Sequence, residues 1–225
     1  TSLDRFVIAD IEDIENSIDN EVGAILVETI PWIHTVAPRS RDWWHKIRKL
    51  CDDNNLNLIV DDCAGCFGKL GHPISTQRYD IQPDIIAISK AMTAGYVPFG
   101  AALGNTKIVN QACNSELWHS HTFNPSAHAI EALDCMLNRL DDYKKVPLLE
   151  KRLASIFENT GLDYHNIGLL GELTLPEVKT PQQYWEAGME LNIYNPGRFI
   201  IAMPMIADDE YFDCLENSLK VLLSL

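Results

Sequence analysis

The chain has no run of apolar residues that approaches the length of a membrane span, so nothing in it reads as a membrane anchor. Basic residues are scarce: 18 Lys and Arg stand against 32 Asp and Glu, a net charge of −14. That balance leaves no basic stripe to neutralise phosphates, which argues against a nucleic-acid or anionic-membrane partner. Cysteine is present at only six scattered positions in a strongly patterned sequence, the usage of reduced cytoplasmic thiols and not of a disulfide framework. Cys63 and Cys66 form a C-x-x-C, but no second pair and no histidines at ligand spacing accompany it, so no metal site is expected. A redox role for this pair is the weaker alternative. The chain opens Thr1-Ser2-Leu3-Asp4, with neither a methionine nor a signal peptide, and we expect a piece of a longer reading frame. Internal repeats and low-complexity linkers are also missing.

What is present is a run of short apolar strands separated by helical periodicities. Asp10 to Ile18 reads as a short amphipathic helix, and Gly23 to Glu28 as a buried strand. Trp43 to Asp53 is a helix with Trp44, Ile47, Leu50 and Cys51 on one face, stopped by Asn54-Asn55. Leu56 to Val60 is the next strand, ending in Asp61-Asp62; Ile85 to Ile88 is the third, ending in Ser89-Lys90. Strand, helix, strand, crossover, strand is the grammar of a mostly parallel sheet in an α/β domain with helices on both faces. In such sheets ligands sit beyond the carboxyl ends of the strands. Glu28, Asp61 and Lys90 all stand at such ends, which places acids and an amine on one rim. Glu28 is read as structural. A lysine in that position tends to snorkel to water; if it stays buried, desolvation lowers its pKa and makes it a nucleophile for carbonyls.

Further on, Phe99 to Leu103 reads as a strand and Pro125 to Leu140 as a helix. Composition changes near Asp141-Asp142. Helices at Val146 to Asn159, Gln182 to Leu191 and Asp208 to Leu223 alternate with strands at Ile167 to Leu175 and Phe199 to Met203. We therefore expect a large domain over residues 1–142 and a small α+β domain over 143–225. The polar approach to the helix at Pro125 (His119, Ser120, His121, Thr122) could meet an anion at the helix start, although loop histidines are usually structural.

Two segments carry chemistry together: Leu58-Ile59-Val60-Asp61-Asp62-Cys63-Ala64-Gly65-Cys66-Phe67-Gly68, and Pro83-Asp84-Ile85-Ile86-Ala87-Ile88-Ser89-Lys90, with acid and amine 29 positions apart. With Pro98-Phe99-Gly100-Ala101 and His121-Thr122-Phe123-Asn124-Pro125 they form four segments in order that resemble the class III (ω) aminotransferases, pyridoxal-phosphate enzymes of fold type I. The resemblance runs from about Val22 to the carboxyl end and is strong through Ala129. It implies that Lys90 carries pyridoxal 5'-phosphate as an internal aldimine and later shuttles a proton, and that Asp61 keeps the pyridine nitrogen protonated. It also implies that Cys63 packs on the ring face, that Ala64 neighbours the ring hydroxyl, and that Thr122 binds the phosphate of a neighbouring subunit in a homodimer with shared sites. The reaction implied is ping-pong transfer of an amino group from an amino donor to a keto or aldehyde acceptor.

Departures from the family pattern bear on the substrate. Ala64 stands where several subgroups have glutamine, and Asp62 where glutamate is usual. Met203-Pro204 and Arg48-Lys49-Leu50-Cys51-Asp52 hint at the diaminopelargonate aminotransferase subgroup, which shares the alanine. Arg198 lies near where the family places an arginine that grips the substrate carboxylate and is the substrate-binding candidate; its offset register favours an exposed arginine at a strand start. Ser89 reads as a turn residue. The family's amino-terminal phosphate-cradling region has no counterpart here. The alternatives are a truncated or degenerate non-catalytic relative, an aminomutase or decarboxylase of the same fold, and a C-x-x-C thiol oxidoreductase.

Overall fold

The computed structural model describes residues 11–32, 35–115, 125–189 and 197–225. A short helix α1 (Ile11–Asn16) precedes strand β1 (Ala24–Glu28), helix α2 (Arg41–Asp53) and strand β2 (Asn57–Asp61). Helix α2 begins at Ser40, whose hydroxyl accepts the Trp43 N–H at 3.1 Å, and is capped at Asn54. Asn55, at φ 53°, turns the chain into β2. The periodicity places Trp44, Ile47, Leu50 and Cys51 on one buried face, where each large side chain contributes about 1.5–3 kcal/mol. That face packs with Ile25, Leu58 and Val60 of the sheet, and Trp44 stacks on Tyr79 with centroids 5.4 Å apart.

Strands β3 (Ile85–Ile88) and β4 (Ala101–Gly104) complete a four-stranded sheet in sequence order. The first three strands are parallel, with Glu28 opposite Asp61 and Asp61 opposite Ala87, so the expected rim of strand ends forms. Strand β4 returns antiparallel, pairing Ala101 with Ile88. Asp84 ties the bottom of this sheet together: its carboxylate accepts the Leu58 N–H, Arg48 Nη1 and Asn105 Nδ2 at 2.8–2.9 Å. Burial pushes that carboxyl up, but these bonds outweigh it and hold it below the usual range.

Helix α3 (Thr106–Asn114), which the sequence reading does not anticipate, follows β4; α4 (Ala127–Leu137) is shorter than expected and gives way to a 3₁₀ turn over Leu140–Lys145. The remainder is helix α5 (Val146–Glu158), strands β5 (Tyr164–Ile167) and β6 (Leu170–Thr174), helix α6 (Pro181–Glu186), strand β7 (Arg198–Ala202) and helix α7 (Asp209–Ser224). The expected strand Ile167 to Leu175 is found as β6, and β5, which the sequence reading does not anticipate, pairs with it across a turn at Gly168, whose φ of 55° is open to glycine. Strands β5, β6 and β7 form an antiparallel sheet, covered by α5 and α7 through Leu153, Phe157, Phe212, Leu215 and Leu219. No helix among the described residues is long and apolar enough to cross a membrane.

Candidate active site

Lys90 begins a 3₁₀ turn, Lys90–Thr93, at the carboxyl end of β3 and adopts φ 40°, a left-handed conformation that is costly for a side chain with a Cβ. Its neighbours hold it there. Ser89 Oγ donates to the Phe99 carbonyl and Thr93 Oγ1 to the Val97 carbonyl, both at 2.7 Å, while the Met92 N–H donates to the Ser89 carbonyl. A strained residue pinned at a strand end is a recurring mark of a functional position. The lysine is exposed, which is the snorkelling alternative of the sequence reading and not the buried one.

On the adjoining strand end, Asp61 Oδ1 accepts the Cys63 N–H at 2.9 Å. The Cys63 thiol is pushed up to about 11, first by burial and then by Asp61, while the Lys90 ammonium pulls the other way. Cys63 therefore lies within electrostatic reach of both groups. Cys66 is fully buried and pushed up to about 12, chiefly by desolvation. Raised thiol pKa values are the reverse of an activated C-x-x-C, which speaks against the oxidoreductase reading. All six cysteines are free.

Asp62 anchors the turn between these residues. It is completely buried, accepts Thr29 Oγ1 at 2.8 Å and the Ser75 N–H at 2.9 Å, and its carboxyl is raised, chiefly by desolvation. This clamp fixes the path of Cys63 and Ala64 and is a positioning device.

A cavity of about 790 Å³ opens in front of the rim. Lys90 and Ala64 line it; Asp61 and Cys63 do not, and Thr122, His119 and His121 lie outside the described residues. Its walls are mainly apolar, from Trp32, Met136, Leu170, Pro204, Met205 and Ile206, with Lys69, Arg139 and Asp142 as further polar groups. The sequence reading misses Lys69. The signal for it is a lysine between Gly68 and Gly71 in a small-residue turn that is otherwise almost wholly buried.

Arg198 is not exposed. Its side chain is 12% accessible and pairs with Glu172, itself 6% accessible, and Glu172 also accepts Thr35 Oγ1 at 2.8 Å and the Val36 N–H at 2.9 Å. Arg198 does not line the cavity. A guanidinium committed to a buried carboxylate cross-links the second sheet to the segment after β1.

The donor set fits pyridoxal phosphate at its reactive end: a primary amine on the cavity wall, a carboxylate on the next strand end, and a small side chain at Ala64 that leaves room for a ring. Among the described residues no cluster of three or more His, Cys, Asp or Glu could hold a metal ion. A mostly parallel α/β sheet with an amine and an acid on neighbouring strand ends suits an aldehyde cofactor. More specifically, the chain belongs to the family described as Aminotransferase class-III, whose profile matches residues 2–184.

Relatives agree. The chain is 30% identical over 139 residues to the acetylornithine aminotransferase of Clostridium acetobutylicum, covering 62% of this chain and 35% of that protein. It is 29% identical over 166 residues to the adenosylmethionine-8-amino-7-oxononanoate aminotransferase of Geobacter sulfurreducens, covering 67% and 36%. The solved S-selective transaminase from Arthrobacter sp. superposes with a TM-score of 0.83 over 95% of this chain and 55% of its own, at 17% identity, which establishes the fold. The chain thus spans little over a third of those two relatives and about half of the solved transaminase.

Proposed function

We propose that this chain carries the catalytic rim of a pyridoxal-phosphate-dependent aminotransferase that moves an amino group from a small amino donor to a keto or aldehyde acceptor in ping-pong fashion. The observation that carries the reading is the placement of Lys90 and Asp61 on adjoining parallel strand ends, with Lys90 on the cavity wall. When bound, pyridoxal phosphate supplies the electron sink that lets a bond to the amino-bearing carbon break. Lys90 Nζ would hold the cofactor through its aldehyde carbon. The same nitrogen, when free, would move a proton to and from the substrate carbon. Asp61 would keep the ring nitrogen protonated by charge pairing. Cys63, held by Asp61 through its N–H, and Ala64, on the cavity wall, would lie next to the ring. Arg198 is assigned a structural role with Glu172.

A homodimer with shared sites, in which Thr122 reaches the partner's phosphate, belongs to the same proposal. In its support, α4 is apolar on nearly every side yet buries only Ala129, with Ile130 and Leu137 nearly half exposed. Leu26 of the parallel sheet is 66% exposed, and parallel sheets are normally covered on both faces. We also propose the division into residues 1–142 and 143–225, which sets one sheet in each part, and a cytoplasmic setting, consistent with six free thiols.

The test is to incubate the chain with pyridoxal phosphate, reduce with borohydride and map the labelled peptide by mass spectrometry. A stoichiometric adduct on Lys90, lost in Lys90→Ala, is expected. Scattered labelling of exposed lysines such as Lys46, Lys49 and Lys151, with Lys90 unmodified, overturns the reading.

A further inference from the structure

Three cations line the cavity: Lys69, Lys90 and Arg139. Arg139 leans on Asp142 at 3.4 Å, and Lys90 is assigned to the cofactor. Lys69 has no acid within ion-pairing distance among the described residues; its Nζ donates to the Met203 carbonyl, which leaves two of its three N–H donors without a described partner. Burial lowers its pKa to about 8, so at neutral pH it is still charged for most of the time and uncompensated.

The lysine is held in place by its own backbone as well. The Leu169 N–H donates to the Lys69 carbonyl at 2.8 Å, the Met203 N–H donates to the Leu169 carbonyl at 2.8 Å, and Lys69 Nζ closes the ring on Met203. This close approach depends on glycine at 168, where a Cβ would sit 2.2 Å from the Lys69 carbonyl oxygen, and at 68, where φ is 90° and a Cβ would meet Met205 Sδ at 2.5 Å. A charged donor fixed on a mostly apolar wall, with its remaining hydrogens unspent, is built to receive an anion.

We propose that Lys69 is the anion anchor of this cavity and grips the carboxylate of a substrate whose apolar body lies along Leu170, Met205 and Ile206. The assignment deepens the aminotransferase reading and rests on it for the word substrate. Arg198 does not compete for the role, because Glu172 engages it away from the cavity. The other titratable groups on the wall are Lys90, Tyr96, Cys135, Arg139 and Asp142, and Cys66 lies within electrostatic reach of Lys69 from its own turn.

The experiment reads binding, without cofactor, by isothermal titration of the 225-residue chain with hexanoate. Hexanoate is expected to bind at pH 7, and hexan-1-ol about tenfold more weakly or worse. Lys69→Met should weaken hexanoate by about tenfold or more while Lys69→Arg restores most of it, and the circular-dichroism spectrum of each variant reports that it is folded. Equal hexanoate affinity in the parent and a folded Lys69→Met variant overturns the proposal. So does an absence of hexanoate binding in a parent chain whose Lys90 is labelled by pyridoxal phosphate. Loss of that labelling in Lys69→Met with hexanoate binding intact would assign the lysine to the cofactor phosphate instead, and would equally overturn it. Failure of Lys90 labelling in the parent strikes only at the aminotransferase reading, since hexanoate binding is measured without cofactor.

Discussion

Replacing Glu172 with Gln keeps the shape of the side chain and removes its charge from a site where three groups converge on it. Arg198 pairs with it, Thr35 Oγ1 donates at 2.8 Å and the Val36 N–H donates at 2.9 Å. Side-chain accessibilities of 12% and 6% put this pair in the regime where removing one partner strands the other charge away from water. The expected loss is about 3–5 kcal/mol, a large part of the stability of an ordinary domain. The double replacement Glu172→Leu with Arg198→Met removes both charges and should recover most of that loss, because burying an ion pair gains little over burying apolar volume. Urea unfolding followed by tryptophan fluorescence and by far-ultraviolet circular dichroism measures both variants. A Glu172→Gln loss below about 1 kcal/mol, the value of an exposed pair, would refute the claim that this pair is a buried cross-link. A double variant no more stable than Glu172→Gln would refute the explanation by stranded charge.

Three further outcomes are expected. Because burial and nearby acid raise Cys63 to about 11 and burial raises Cys66 to about 12, iodoacetamide at pH 8 should spare both and modify exposed Cys113, Cys135 and Cys214, as peptide mapping would reveal; Cys63 and Cys66 should begin to react only as pH climbs toward those values. Gly168→Ala introduces a left-handed alanine and a clash with the Lys69 carbonyl, and should cost about 2–5 kcal/mol in urea unfolding. Burial lowers the Lys69 amine to about 8 in the folded chain from an ordinary value of 10.5, so the unfolded chain holds more protons between those values. Stability should therefore rise with pH across that window, by up to about 3 kcal/mol from this group, and the rise should be smaller in Lys69→Met.

Much of the first sheet is legible in the sequence because its strands are buried apolar runs and its principal helix carries a clean stripe. The span Ile85 to Ile88 is found as expected, and the rim of Glu28, Asp61 and Lys90 follows from the parallel connections. Helix α3 escapes notice because it buries none of its residues and its apolar stripe, Ile108, Val109 and Ala112, spans little more than one turn. The hairpin at Gly168 escapes because its first strand, Tyr164–Ile167, is short and mostly polar and one glycine is all that marks the reversal. Arg198 and Lys69 fail for a common reason. Local pattern says where a charged side chain starts, whereas its surroundings come from segments distant in sequence: Glu172 with Thr35 and Val36 for the arginine, Met203 for the lysine.

The contact between the Leu169 N–H and the Lys69 carbonyl has a temporal consequence. It joins the hairpin turn to the turn that follows β2, outside the ladders of either sheet. Hydrogen–deuterium exchange at that amide therefore requires those two turns to separate, while the flanking ladder amides can remain closed. Its exchange rate is a clock for the opening of the cavity wall, and ligands that settle against Lys69 should slow it before they slow any amide in the sheets.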